Sequence, residues 1–191
     1  MAPADDGRLW ERVQAGDASA FGALFDRHAN AVHSYCFRRT ADWALAEDST
    51  SLVFLEAWRG RARLRPSAGA LPLLLGIATN VLRNQRRARR RHRAFLERLP
   101  ALQPERDFAE DLPARLDAEA DTRRLLAEVA RLPRREQDVV ALCAWSGLTP
   151  AEAASALGLP QATVRTRLHR ARRRLRDAVE PLETRSEEAL P

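Results

Sequence analysis

Apolar residues return at helical spacing along almost the whole chain, and no stretch alternates with period two in the Val-, Ile- and Thr-rich manner of a half-buried strand. The sequence therefore predicts an all-α fold. Leu9, Trp10 and Val13 make a short first stripe that ends at Ala15-Gly16, and Asp17 is placed to cap a longer helix carrying Phe21, Leu24, Phe25, Val32, Tyr35 and Cys36. A third pattern runs from Trp43 to Trp58 through Leu45, Leu52 and Leu55, with Gly60 placed to stop it. Pro66, Gly69 and Pro72 mark residues 61–72 as a loop, after which Leu73, Ile77, Val81 and Leu82 resume the helical period and run into a series of arginines.

With 191 residues the chain holds one ordinary domain or two small ones, at about 100 to 200 residues per domain. Its character changes between Pro100 and Asp121, where three prolines accompany seven acids and only two arginines. Such a segment reads as a linker rather than a core. Beyond it the helical period returns over 125–132, 134–145, 149–157 and 160–179. The expected architecture is two small helical domains, 8–95 and 121–179, joined by a flexible acidic linker at 96–120 and followed by a disordered tail at 180–191.

Net charge is +6 and the chain contains no lysine, so all 32 basic residues are arginine. An Ala- and Arg-rich composition is what a high-GC coding sequence gives for any function, but it does not decide where the arginines gather. Seven of them lie between Arg83 and Arg93 with no acid among them, and the last helical segment shows Arg165, Thr166, His169, Arg170, Arg172, Arg173, Arg174 and Arg176 opposite an apolar stripe of Val164, Leu168, Ala171 and Leu175. Like charges four residues apart repel, so single-sign crowding of this kind points to a polyanion that neutralises it. The alternative for either face alone is a solvated basic surface.

The N-terminal residues show no secretion signal, and the most apolar run, Ala70 to Leu82, is interrupted by Pro72 and Gly76 and is too short to span a bilayer. Cytoplasmic localisation, reduced thiols at Cys36 and Cys143 and no membrane insertion are the expectation. His28, His33 and Cys36 could be read as metal ligands, but no second ligand pair of recognised spacing joins them. No cofactor is expected.

Thr149-Pro150-Ala151-Glu152 combines a capping hydroxyl, proline at the first helical position and glutamate three residues after the cap. A helix begins there, Gly158 ends it, and Leu159-Pro160 opens the next after a very short turn. Two helices so joined, with Ala153 and Ala154 at the crossing, predict a helix-turn-helix whose second member carries the basic face. In the N-terminal half, Asn80, Arg83, Asn84 and Arg87 share one helix face, where amides can pair with exposed base edges and guanidinium groups can hold phosphates. For Asn80 the plain alternative is a helix–helix hydrogen bond.

These residues resemble a family. Leu132-Pro133-Arg134-Arg135-Glu136-Gln137, the Thr149 to Ala154 segment and Thr163 to Arg172 are similar to the DNA-binding region four of bacterial sigma-70-type initiation factors, in particular the short extracytoplasmic-function (ECF) class. Ala46-Glu47-Asp48 with Val53 to Trp58 resembles the helix that docks on the polymerase clamp, and Leu74 to Arg93 resembles the helix that reads the promoter minus-10 element. The resemblance implies a transcription initiation factor, not an enzyme and without catalytic residues, whose partners are core RNA polymerase and promoter DNA, with an anti-sigma factor as a candidate third. Asp48, Ser51 and Leu52 would face the polymerase; Asn80, Arg83, Asn84 and Arg87 the minus-10 element; Arg165, Thr166 and His169 the minus-35 bases, with Arg170 and Arg174 nearer its phosphates. Ser51-Leu52 stands where Gln-Glu is common in the family, and Leu73 where many members have Trp. On the residues alone two other readings stay open: a stand-alone regulator that binds duplex DNA through 121–179, and an RNA-binding adaptor resting on the arginine run.

Overall fold

The computed structural model describes residues 3–96 and 127–187; among these every regular element is helical. The expected linker and the end of the tail lie outside the described residues. Two units are present, the first built from α1 to α4 and the second from α5, α6, most of α7, and α8.

In the first unit, α1 (Pro3–Gln14) ends at Gly16, whose φ of 94° only glycine adopts readily. Asp17 then caps α2 (Ala18–Thr40), its Oδ1 accepting from the Ser19 and Ala20 amides at 2.9 and 3.0 Å. Ala41 takes the left-handed conformation and Asp42 caps α3 (Trp43–Gly60) by accepting from the Leu45 amide at 3.0 Å, so α2 and α3 are joined by two residues and pack antiparallel. After a loop, α4 (Ala70–Leu96) lies against both. It starts earlier than the sequence suggests: Pro72 falls in its first turn, where a missing N–H costs nothing. Trp10, Val13, Leu24, Val32, Tyr35, Cys36, Val53, Leu74, Leu75 and Ala78 form the core.

The apolar stripe expected on α3 is not its buried face. Leu52 and Leu55 are each 40% exposed, whereas Ala46, Ser49, Thr50, Val53, Phe54 and Ala57 are buried. Small residues let α3 sit close to its neighbours, and the two hydroxyls find acceptors at once: Ser49 Oγ lies 2.6 Å from Leu45 O and 3.0 Å from Gln85 Oε1 on α4, and Thr50 Oγ1 donates to Ala46 O at 2.7 Å. Satisfied in this way, Ser and Thr enter a core that a search for apolar periodicity assigns to leucine. Phe25 departs similarly, at 42% exposure, while His28 takes a buried place on α2.

In the second unit a helical segment at 127–131, α5, breaks before Pro133. Helix α6 (Arg134–Val140) continues into a five-residue π turn, Ala141–Trp145, in which the Ser146 amide reaches back to Ala141 O at 3.1 Å. Then come α7 (Pro150–Leu157) and α8 (Gln161–Glu187). Helix α8 runs past Pro181 to Glu187, into the stretch expected to be a disordered tail. Val129, Leu132, Val140 and Ala171 pack together with Trp145 and Leu175 against them, so the α8 stripe is buried on α5 and α6.

Candidate nucleic-acid and polymerase interfaces

Thr79 fixes the presentation of the α4 face. Its side chain is buried, and its Oγ1 lies 2.9 Å from Leu75 O and 2.7 Å from the Tyr35 hydroxyl. One residue on, a rotation of about 100° turns Asn80 to solvent, and Asn84 and Arg87 follow on the same exposed face. Arg83 is half-buried, with Nη1 3.5 Å from Asn80 Oδ1. Asn80 thus makes its side-chain contact within its own helix and not in the helix–helix bond weighed for it.

Asn80 and Asn84 border a groove of about 490 Å³ whose other wall includes Leu52, Glu56 and Leu64. The family resemblance would set Leu52 toward polymerase and the two asparagines toward DNA, yet they meet around one cleft between α3, α4 and the loop after α3. That loop is held at its start: the Leu64 amide donates to Gly60 O at 3.0 Å, Leu64 O accepts from Gln14 Nε2 at 2.9 Å, and the Arg61 guanidinium lies 4.1 Å from the Trp58 ring centre.

On the outer face of α3, Asp48, Ser51, Leu52 and Leu55 are all exposed. Beside them runs an aromatic seam that sequence periodicity missed as a surface, with Phe25 against Phe54 at 4.7 Å and Phe21 against Trp58 at 5.1 Å between ring centres. The spacing of Phe21, Phe25, His33 and Phe37 on α2 carried that signal. His33 packs against Phe37 and Trp43, His28 Nε2 lies 2.8 Å from Asp6 Oδ2, with Arg27 on the same carboxylate, and Cys36 is buried. The three residues considered as metal ligands are therefore engaged in three separate environments.

In the second unit the capping box forms as its spacing predicts: the Glu152 amide donates to Thr149 Oγ1 at 3.2 Å, and Glu152 Oε2 accepts from the Thr149 amide at 2.7 Å. Gly158 at φ 62° closes α7, with the Leu159 amide donating to Ala154 O at 3.0 Å. Helix α8 follows at once, with Val164, Leu168 and Ala171 buried and Arg165, Thr166, His169 and Arg170 exposed on the opposite side. Thr166 Oγ1 donates to Ala162 O at 2.9 Å. Arg174 differs from its neighbours: its Nη1 donates to Glu136 Oε2 at 2.9 Å. Sequence reading also overlooked Gln137, whose buried amide donates to Ala130 O at 2.7 Å and Leu132 O at 2.8 Å and so ties the end of α5 to α6.

Residues 24–92 match the family model described as Sigma-70 region 2, and residues 122–175 the model described as Sigma-70, region 4. The ECF RNA polymerase sigma factor SigL of Mycobacterium tuberculosis is 31% identical over 170 residues, covering 88% of this chain and 93% of that protein. BldN, an ECF RNA polymerase sigma factor of Streptomyces coelicolor, is 34% identical over 172 residues, 87% of this chain and 63% of that protein. Among solved structures, CnrH in complex with the cytosolic domain of CnrY has the same fold, with a TM-score of 0.67 at 24% identity over 93% of this chain and 98% of that one. RpoE of Bartonella quintana, solved with the anti-sigma factor NepR, gives 0.64 at 19% identity over 84% and 96%. With both regions matched in order and relatives aligned over most of its length, the chain belongs to the sigma-70 family of RNA polymerase sigma factors, in its ECF class.

Proposed function

We propose that this RNA polymerase promoter-specificity factor divides its work among three faces. The exposed side of α3, with Asp48, Ser51 and Leu52, docks on core polymerase. The α4 face, with Asn80, Arg83, Asn84 and Arg87, engages the minus-10 element, and the groove beneath the asparagines receives an extruded base, because a base taken from the stack needs a pocket of its own. On α8, Arg165, Thr166 and His169 read minus-35 bases while Arg170 meets phosphate. Domain limits of 8–95 and 121–179 belong to the same reading, as does a linker at 96–120 whose acids suit a basic nucleic-acid channel.

The observation that carries this reading is the presence of two separate exposed basic faces in a chain whose two halves match sigma regions 2 and 4 in order. A stand-alone regulator would use only the second half and leaves the first unexplained. In this reading the chemistry belongs to the polymerase, so the chain is not an enzyme and needs no cofactor, and it acts in the cytoplasm where the polymerase is. An anti-sigma factor is the partner expected to hold it inactive. No helix among the described residues is long and apolar enough to cross a membrane.

Run-off transcription with purified core polymerase tests the proposal. Defined start sites should appear only when chain and core are combined. Equal promoter selection by the isolated chain would favour the stand-alone reading.

A further inference from the structure

The flank of α8 that faces α6 carries Thr163, Thr166, Arg167, Arg170 and, one turn further, Arg174, in the i, i+3, i+4, i+7, i+11 series of a single helix side. Between this flank and the start of α6 lies a groove of about 460 Å³ bordered by Arg135, Glu136, Thr163, Thr166, Arg167 and Arg170. Three of those side chains are cations, and no carboxylate of a described residue lies within ion-pair distance of them. Glu136 is different. Its side chain is only 9% exposed and pairs at 2.9 Å with Arg174, which is 51% exposed.

Leaving a carboxylate buried to this degree without its cation is costly. Were Arg174 to swing out to a DNA phosphate, Glu136 would be left uncompensated next to the DNA polyanion, so the gain at the phosphate is offset at the carboxylate. The three cations of the groove carry no such commitment.

We propose that Glu136 is a positioning residue for DNA binding: it locks Arg174 to the α6–α8 junction, and the phosphate that this flank attracts is held instead in the groove by Arg135, Arg167 and Arg170. This rests on the reading of α8 as the DNA-contacting helix, and it reassigns Arg174 from phosphate holder to clamp. Glu136 thereby sets how many charges the domain offers to the backbone, without touching DNA itself.

Phosphate contacts do not depend on sequence, so a duplex of random sequence is a sufficient probe for the full-length chain. Each phosphate neutralised contributes about 0.9 to the slope of log affinity against log salt. The proposal expects Arg174→Ala to lower the melting temperature by several degrees while leaving that slope unchanged. Arg135→Ala and Arg167→Ala should each reduce the slope by about one unit with little change in melting. Glu136→Gln, which frees Arg174, should steepen the slope by about one unit, and the double variant Glu136→Gln/Arg174→Ala should lose that gain. A slope reduced by Arg174→Ala, or unchanged slopes in both Arg135→Ala and Arg167→Ala, overturns the proposal. Should Glu136→Gln fail to fold, the slopes of the three arginine variants decide alone. If removing Arg165, Arg170 and Arg173 together leaves the salt slope of the full-length chain unchanged, the reading of α8 itself fails, and the proposal with it.

Discussion

The Tyr35 hydroxyl bonds to Thr79 Oγ1 at 2.7 Å, a single bond that ties α2 to α4 one residue before Asn80. Thr79 Oγ1 also lies 2.9 Å from Leu75 O, so the same hydroxyl is tied both to its own helix and to α2. Tyr35→Phe should destabilise the chain by about 1 kcal/mol, in keeping with the loss of one buried neutral hydrogen bond. Urea denaturation measures it, and an unchanged midpoint would mean that the bond contributes nothing to holding α4.

Asp48 and Phe54 lie six residues apart on α3 and should fail in different ways. Phe54 is 4% exposed, and Phe54→Ala should cost about 3 to 5 kcal/mol of stability. Asp48→Ala should leave the melting temperature nearly unchanged and weaken binding to core polymerase, as should Leu52→Ala. Full core affinity in both surface variants would move the docking face elsewhere.

Asn80→Ala and Asn84→Ala should slow promoter opening without a change in melting temperature, because both side chains face solvent beside the α3–α4 groove. Permanganate reactivity of the melted strand in complexes with core polymerase reads this out. Normal reactivity in both variants would separate the groove from strand opening.

Arg165 sits in the first turns of α8 with its guanidinium exposed, whereas Arg170 lies further along on the groove side. A bidentate contact to guanine discriminates by about 1 to 3 kcal/mol against a wrong base. Arg165→Ala should therefore flatten preference at one minus-35 position, while Arg170→Ala should weaken all sequences alike. A base-substitution scan of the element distinguishes them, and uniform loss from Arg165→Ala would mean that α8 docks in another register.

Burial pushes the Cys36 thiol up from 9.0 to about 11, against a smaller opposing effect of the Thr50 hydroxyl. The folded state therefore favours the neutral thiol, and this contribution is fully present below the unfolded value near 9 and is lost as pH rises through about 11. Compared with Cys36→Ala, the wild type should lose stability more steeply across that window in urea titrations. Parallel pH profiles would show that Cys36 is not desolvated. Cys143, partly exposed, should react with iodoacetamide before Cys36 does.

Helices and two caps were legible because each follows from neighbouring residues: Asp17 and the Thr149–Glu152 box act within four positions of themselves. The inward stripe of α8 was equally plain, since alternating blocks of arginine and aliphatic residues admit one orientation. On α3 the reading inverted, because hydroxyls that bond to their own helix cannot be told from surface hydroxyls by sequence, and two leucines were available to be mistaken for the core. The pairing of Glu136 with Arg174 joins residues 38 apart, and nothing local announces it. The groove between Leu52 and Asn80 was hidden for the same reason: it exists only once α3 and α4 lie side by side.

The π turn at Ala141–Trp145 inserts one residue more than a regular turn holds between α6 and the helix-turn-helix. An α-helix of the same composition would advance every later side chain by about 100° relative to α6. Trp145 would then leave the cluster of Val129, Leu132, Val140 and Ala171, and α7 would set out on a different heading. The bulge works as a spacer washer: it absorbs an odd residue without turning the parts on either side. Deleting any one of these five residues should therefore leave a regular α turn with α6 and the helix-turn-helix still in phase, whereas adding one more residue would turn the second against the first, an error of aim rather than of length.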